Sequence, residues 1–394
     1  MGIFKGNRNL LIISLIAIVN ALGYGIIIPI LYSYSQKYGL TDFQNGLLFA
    51  LYSVFQFFST PIIGRLSDKF GRKPLLLISI TGTAISFIMT AFAPNAFFLF
   101  FARALDGATA GNIPVASAVI SDSTSNEERA RGFGVIGASF GFGFVFGPAI
   151  SALTVGISPS LPFIIAAIVS VVAVIMTALF LPETNKHLGE VAKGKLFNFK
   201  KLYEALFDKN IGAMLVITLI YFLAFFSFVY AFQPYSVKTL HLSANIISAI
   251  FTMVGVIGLG GQLFMVPRLT KRFGVRAHFT WSLLGLAIAF FMMFLFNSFW
   301  MFIFSLMFMS ISNSVVQPLT GAIISLETDA ASQGSILGLS SSYMSIGQIL
   351  GPIVGGALAT YSITFPFLAA SVFVVLCFVI SQKAINLTRH ESAF

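Results

Sequence analysis

Twelve apolar runs decide what this chain can fold into. They fall at about 9–35, 43–63, 74–93, 97–121, 132–155, 161–181, 211–236, 244–267, 277–296, 298–325, 333–359 and 363–382. A helix of about 20 apolar residues crosses the ~30 Å hydrocarbon core of a bilayer. Each run is therefore long enough to span. Barrel strands alternate apolar with polar residues, so uninterrupted runs exclude a β-barrel. With 57% hydrophobic and 9% charged residues, a soluble core could not hide the apolar surface. The expected fold is an all-α membrane protein of twelve transmembrane helices arranged as two pseudo-symmetric six-helix bundles. Residues 1–181 form the first bundle, 182–210 a cytoplasmic linker, and 211–394 the second bundle.

Charge placement sets the topology. Of the 23 Lys and Arg residues, only Lys37 and Lys238 fall in the odd-numbered loops, and Arg103 lies in a run. All the others lie at the termini or in even-numbered loops, which puts both termini on the cytoplasmic side. The net charge of +10 is thus a topology device facing anionic headgroups, and no nucleic-acid partner is expected. The linker carries Lys186, Lys193, Lys195, Lys200, Lys201 and Lys209 among Leu196, Phe199, Leu202 and Leu206. It reads as a solvated tether, partly an interfacial helix. Lys5 and Arg8 precede the first run like a signal peptide, but no small-residue cleavage site follows, so a retained first helix is expected. One cysteine, Cys377, and four scattered histidines leave no disulfide framework and no metal cluster. No cofactor, no metal and no enzymatic activity are expected, because no nucleophile–base pair is visible.

The two halves repeat. At a shift of 204 residues Pro114 meets Pro318, Gly143 meets Gly347, and Gly147-Pro148 meets Gly351-Pro352. At a shift of 203, Arg65-Leu66 meets Arg268-Leu269 and Phe70-Gly71 meets Phe273-Gly274. Coincidence at helix breakers and tight turns is what a duplicated backbone leaves. Parallel six-helix repeats are one plan of membrane transporters.

One run carries charge where charge is costly. Phe97 to about Ile120 reads as a single spanning helix that contains Arg103 and Asp106. Asp106 sits roughly 14 Å beyond Phe97 at ~1.5 Å per residue, near the middle of the bilayer. Residues three apart share a helix face, so the pair can touch. An ionisable residue at that depth points to function. A permanent brace is the alternative, but the repeat has Met307 and Ser310 at these positions, and a brace required by the fold would be expected in both halves. Other polar residues in the runs are Asn20, Tyr24, Asn112, Tyr230, Gln233, Asn313, Gln317, Tyr343 and Gln348. Singly each suits a helix–helix hydrogen bond. As a set, among 45 phenylalanines, they suggest an amphipathic binding cavity.

Two longer motifs carry a resemblance. The second cytoplasmic loop reads Gly64-Arg-Leu-Ser-Asp68-Lys-Phe-Gly71-Arg72-Lys73, and its repeat copy Pro267-Arg-Leu-Thr-Lys271-Arg-Phe-Gly274 lacks the acid. The fifth and eleventh runs hold Gly143-x-x-x-Gly147-Pro148 and Gly347-x-x-x-Gly351-Pro352-x-x-Gly355-Gly356, spacings that let helices approach closely. The loop resembles the G-x-L-x-D-x-x-G-R-K motif of the major facilitator superfamily, and the glycines resemble that family's antiporter motif. The fifth-run copy departs from it at Ser151 and Ala152. With Leu22-Gly23-Tyr24-Gly25 and Pro29 in the first run, Arg103-x-x-Asp106-Gly107 and Asp122, the N-terminal half is similar to twelve-helix drug/proton antiporters of the tetracycline-resistance branch. That branch usually has an acid where this chain has Asn20, which leaves Asp106 as the one carboxylate deep in the runs.

The resemblance implies a secondary transporter of the bacterial inner (cytoplasmic) membrane, a monomer that exports small amphipathic compounds in exchange for protons. The first, fourth, seventh and tenth helices would line its cavity. Asp106 would carry the proton and Arg103 would tune it or hold an anionic group. Asn20, Tyr24, Arg103, Asn112, Tyr230, Gln233, Asn313, Gln317, Tyr343 and Gln348 would bind substrate. Gly64, Asp68, Gly71, Arg72 and Lys73 would form a gating loop, and Gly143, Gly147, Pro148, Gly347, Gly351 and Pro352 would pack helices. An importer or facilitator of a siderophore, amino acid or sugar-like solute is the alternative. A non-transporting scaffold or sensor is a third reading, disfavoured because it needs neither latch nor repeat.

Overall fold

In the computed structural model the described residues, 8–123, 126–185, 199–208, 211–328 and 333–391, form helices, turns and loops and no strand. Lys5, Lys186, Lys193, Lys195, Leu196 and Lys209 of the sequence reading lie outside them. Helices α1 (Arg8–Ser35), α2 (Asp42–Phe70), α3 (Arg72–Ala91), α4 (Ala96–Thr109), α5 (Asn112–Ser123), α6 (Asn126–Thr154) and α7 (Leu161–Phe180) come first. A short α8 (Phe199–Ala205) follows. Then come α9 (Gly212–Lys238), α10 (Ala244–Gly260), α11 (Val266–Phe273), α12 (Val275–Leu295), α13 (Phe299–Leu326), α14 (Gln333–Ala359) and α15 (Phe365–Glu391). All twelve apolar runs are helical. Among the described residues, nine stretches are long and apolar enough to cross a membrane, α10 and α11 counting as one through the wider turn at Gly261–Met265.

The fourth run departs from expectation. It is two helices, of 14 and 12 residues, parted at Ala110-Gly111. The cause is Pro114. Its ring clashes with the carbonyl four residues back, which is Ala110, and it has no N–H to offer that oxygen. Backbone groups freed inside a membrane need internal partners. Hydroxyls supply them: Ser59 Oγ donates to the Gly107 carbonyl (2.7 Å), Thr60 Oγ1 to that of Ala110 (3.3 Å), and Ser79 Oγ to that of Thr109. Gly111 N–H donates back to Ser79 Oγ (3.1 Å).

The described chain divides into two compact units. One comprises Met1–Leu40, Leu51–Leu196 and Ser243–Thr252, the other Thr41–Ala50, Phe197–Leu242 and Met253–Phe394. In the first, α1 packs on α6 and α7, and α3 packs on α4, α5 and α7. Its core holds Ile12, Ile16, Leu76, Val115 and Val119, all fully buried. In the second, α9 packs on α14 and α15, and α12 on α13 and α15. That core is aromatic: Phe228, Phe232, Tyr235, Phe290, Phe302 and Phe367. Large apolar side chains such as Phe97, Leu153, Leu179 and Trp300 lie exposed, as lipid contact requires.

Lipid tails are as apolar as the helices, so close packing replaces the hydrophobic effect inside a membrane. The glycines achieve it identically in both units. A Cβ on Gly143 would lie 2.2 Å from Ala21 Cβ, so α6 rests on the α1 backbone. A Cβ on Gly347 or Gly351 would come within 2.7 Å of Phe222 or Phe226, so α14 rests on α9 in the same way. Pro148 and Pro352 lie inside their helices. The loop glycines also match: Gly71 has φ 106°, ψ 157° and Gly274 has φ 81°, ψ 158°, a region that favours glycine.

Candidate functional site

The site is built around the last turns of α4. Arg103 and Asp106 are 5% and 6% exposed, with Arg103 Nη1 3.5 Å from Asp106 Oδ2. At that distance the ion pair is loose, so each partner keeps capacity for another ligand. The Arg103 guanidinium lies 4.7 Å from the centre of the Tyr52 ring of α2, a cation–π contact. Tyr24 of α1 stands edge-on to Tyr52 at 5.4 Å, and Phe144 of α6 flanks Tyr24 at 6.5 Å. Thr83 of α3 lies beside the Asp106 carboxylate. Buried Arg103 Nε has no partner. A buried donor left unpaired costs about 1–3 kcal/mol, and more in a charged group, so this N–H is ready for an acceptor.

The remaining candidates take varied places. Asn20 Nδ2 donates to Asn112 Oδ1 (3.0 Å), joining α1 to α5. In the other unit Tyr221 OH donates to Asn313 Oδ1 (2.6 Å), joining α9 to α13. Both bridges link the first apolar run of a half to its fourth across 92 residues. Tyr230 OH donates to the Asp42 carbonyl (2.5 Å), and the Asp42 carboxylate pairs with Lys238 (2.7 Å). Gln233 is buried in α9, Gln348 is half-buried and Gln317 is exposed. Tyr343 OH is taken by the Leu202 carbonyl of α8, so it docks the linker helix.

The Gly64–Lys73 stretch, expected as a loop, is the end of α2 and the start of α3 joined at Gly71 alone, because the positive φ of that glycine turns the chain, and it forms a charged cluster. Arg72 Nη1 holds Asp68 Oδ1 (2.5 Å) and Ser67 Oγ (2.7 Å), while its Nε holds Asp122 Oδ2 of α5 (3.0 Å). Glu183 closes it by accepting the backbone N–H groups of Arg72 (2.9 Å) and Lys73 (3.1 Å) at the start of α3. Partial burial pushes the Glu183 carboxyl up. Bonds from the N–H groups of Asn185, Arg72, Lys73 and Thr184 outweigh it and hold the carboxyl below its usual range. Gly64 has open space around it. The second unit keeps part of this device: Arg276 Nη2 pairs with Glu327 Oε1 (2.8 Å), spanning 51 residues against 50 for Arg72–Asp122.

Sequence reasoning missed Tyr52, Thr83, Tyr221, Glu183 and the Arg276–Glu327 pair. Tyr52 and Tyr221 share the signal that singled out Tyr24, a hydroxyl in an apolar run. Glu183 stands directly after the sixth run, where an acid invites the question of what it caps. Among the described residues no group of three His, Cys, Asp or Glu side chains could hold a metal ion.

An all-helical chain with many spanning helices and a charged pair buried in one of its apolar runs is an integral, multi-pass membrane protein of the transporter class. The chain belongs to the Major Facilitator Superfamily, whose profile matches residues 13–265 and 214–394. It is a transporter and not an enzyme. It is 28% identical over 364 residues to the class H tetracycline resistance protein of Pasteurella multocida, covering 91% of each chain. It is 27% identical over 356 residues to the quinolone resistance protein NorA of Staphylococcus aureus, covering 89% of each. Its fold matches the inward-facing, unoccupied crystal structure of a bacterial homologue of the human lysosomal transporter Spinster, with a TM-score of 0.78 at 16% identity over 97% of this chain and 98% of that one.

Proposed function

We propose that this protein exports small amphipathic compounds across a bacterial inner membrane in exchange for protons, by alternating access. The observation that carries the reading is the Arg103–Asp106 pair, held at 3.5 Å with both side chains nine-tenths buried. Protonating Asp106 removes its charge and releases the Arg103 guanidinium. That exchange of partners couples a proton to an acceptor group on a substrate. Tyr24, Tyr52 and Phe144 give an aromatic wall for the apolar part of the cargo, and the Asn20–Asn112 bridge offers amide groups beside it. In the second half, Tyr230, Gln233, Asn313, Gln317, Tyr343 and Gln348 are the polar groups from which further contacts would be drawn. The resistance proteins it resembles are named for tetracycline and quinolones, which makes these compounds the first probes of this chain.

The reading includes twelve spans with both termini cytoplasmic, a first bundle of 1–181, a linker of 182–210 and a second bundle of 211–394, acting as a monomer. Gly64, Asp68, Gly71, Arg72 and Lys73 serve as the gating loop, latched by Asp122. The test is transport of tetracycline and of a quinolone into inverted vesicles under an imposed pH gradient. Uptake that an ionophore collapses, and that Asp106→Asn abolishes at unchanged expression, is the expected result. Uptake by Asp106→Asn equal to that of the parent chain sinks the carrier assignment. Movement in the opposite direction sinks export.

A further inference from the structure

The break in the fourth span lies between two charged centres. On its outer side α4 carries Arg103 and Asp106, and on its inner side α5 carries Asp122, which pairs with Arg72. A continuous helix would tie these centres together at a fixed angle. A broken one does so only through what holds the break. Helix α2 contributes Ser59 and Thr60, which bond carbonyls on the α4 side, and helix α3 bonds both sides with one face. Ser79 Oγ donates to the Thr109 carbonyl and accepts from Gly111 N–H, so a single hydroxyl spans the gap. One turn further on, at i+4, Thr83 lies beside the Asp106 carboxylate. Between them Gly82 leaves room for the Thr109 side chain, since a Cβ there would lie 2.3 Å from Thr109 Oγ1. Thr109 Oγ1 in turn donates to the Leu105 carbonyl (2.9 Å). Helix α3 itself begins at Arg72. The same helix therefore touches the buried acid, the break and the Arg72 cluster.

We propose that Ala110-Gly111 is a hinge and that Ser79 is its pin, a positioning residue that converts the charge state of Asp106 into a change of angle between α4 and α5. Through α5 that change sets the hold of Asp122 on Arg72 and Asp68. The inference rests on Asp106 as the proton carrier. The groups facing Asp106 are Arg103 on its own helix, Tyr24 of α1, Tyr52 of α2 and the neutral Thr83 of α3. Asp106 and Arg103 are therefore the charged members of the set. Loss of charge on Asp106 releases Arg103, and the end of α4 is then held by the hydroxyls of Ser59 and Thr60 on α2 and by the pin, which alone bonds both sides of the break.

The test needs no substrate. Spin labels are placed at Phe97→Cys on α4 and Ala118→Cys on α5 in a Cys377→Ala background, and their separation is followed in lipid nanodiscs from acid to alkaline pH. With the pin intact, the separation passes through one pH transition, and Asp106→Asn removes it. Ser79→Ala leaves the labels at one separation throughout, while Ser79→Thr, which keeps the hydroxyl, restores the transition. Loss of one such bond is worth roughly a fivefold change in the balance of the two arrangements. Pro114→Ala gives the Ala110 carbonyl an N–H partner and removes the cause of the break, so it flattens the response while leaving Ser79 untouched. It decides the matter if Ser79→Ala does not fold. A transition lost in Asp106→Asn but unchanged in Ser79→Ala and Pro114→Ala overturns the hinge and leaves the carrier reading standing. A transition unchanged in Asp106→Asn overturns both.

Discussion

The two fourth spans start from the same proline and end differently. Pro114 and Pro318 occupy equivalent places in the repeat, yet α4 and α5 part at Ala110-Gly111 while α13 runs unbroken from Phe299 to Leu326. A proline costs an interior helix about 3 kcal/mol, and whether the helix breaks depends on what the freed groups find. In α13 the residue four before proline is Ser314, and its hydroxyl donates to the Ile311 carbonyl one turn back (2.7 Å) while the helix runs on unbroken. In the first half the positions of Ser314 and Ile311 are Ala110 and Gly107, and Ala110 has no hydroxyl to donate. The caps come instead from α2 and α3. The charged pair follows the same division, with Met307 and Ser310 in α13 where α4 has Arg103 and Asp106. The difference teaches that the two halves share a backbone plan while the buried charge lies in the half where the backbone yields.

The largest expected effect tests that division directly. Asp106→Asn should abolish pH-driven transport of the probe compounds. Its counterpart Ser310→Ala should leave it within about a few-fold of the parent, because it removes a single hydrogen bond, Ser310 Oγ to the Val254 carbonyl (2.7 Å). Equal losses from the two variants would erase the asymmetry.

Next come the features the halves share. Gly143→Ala and Gly347→Ala should each lower the thermal stability of detergent-purified protein, by about 1–3 kcal/mol as overpacked contacts do. Gly143→Ala should be the worse, since its Cβ meets Ala21 at 2.2 Å against 2.7 Å to Phe222 for Gly347. These glycines were readable from spacing alone, as were the apolar runs, the Asp68 loop and the charged pair, because each is local in sequence. The break was not. Pro114 was visible, but Pro318 looks the same, and only the neighbouring hydroxyls of α2 and α3 separate the two. Tyr343 was read as a cavity residue for its hydroxyl, but its partner is a carbonyl 141 residues away, and no local pattern reports that.

A smaller effect lies at the two charged clusters next to Gly71 and Gly274. Arg72 holds both Asp68 and Asp122, so Arg72→Met should lower stability, and Arg276→Met, which removes the pair with Glu327, is expected to cost about 1 kcal/mol. Burial pushes the Glu327 carboxyl up, and the Arg276 guanidinium pulls it back. Without Arg276 the buried carboxylate has lost that partner. The deficit of Arg276→Met should therefore be greatest at alkaline pH and shrink as pH falls and Glu327 takes a proton. Thermal unfolding at pH 5 and pH 8 measures it, and a deficit that grows on acidification contradicts it.

The smallest effect lies at the paired loop glycines. Gly71 and Gly274 share a conformation, but Glu183 Oε2 lies 2.4 Å from where a Cβ on Gly71 would sit, and nothing lies within 4 Å of one on Gly274. The backbone bonds that Glu183 accepts hold its folded carboxyl below the unfolded value of about 4.3. The folded state therefore binds this proton less readily than the unfolded chain. Its contribution is complete above the unfolded value and is lost as pH falls through the folded one. Glu183 is solvent-exposed, so screening keeps the contribution under ~1 kcal/mol. Glu183→Gln should lower the unfolding temperature slightly at pH 7 and match the parent chain in strong acid. A deficit that persists undiminished below the folded value would mean that the residue acts by shape and not by charge. The first-half loop would then differ from the second only in packing.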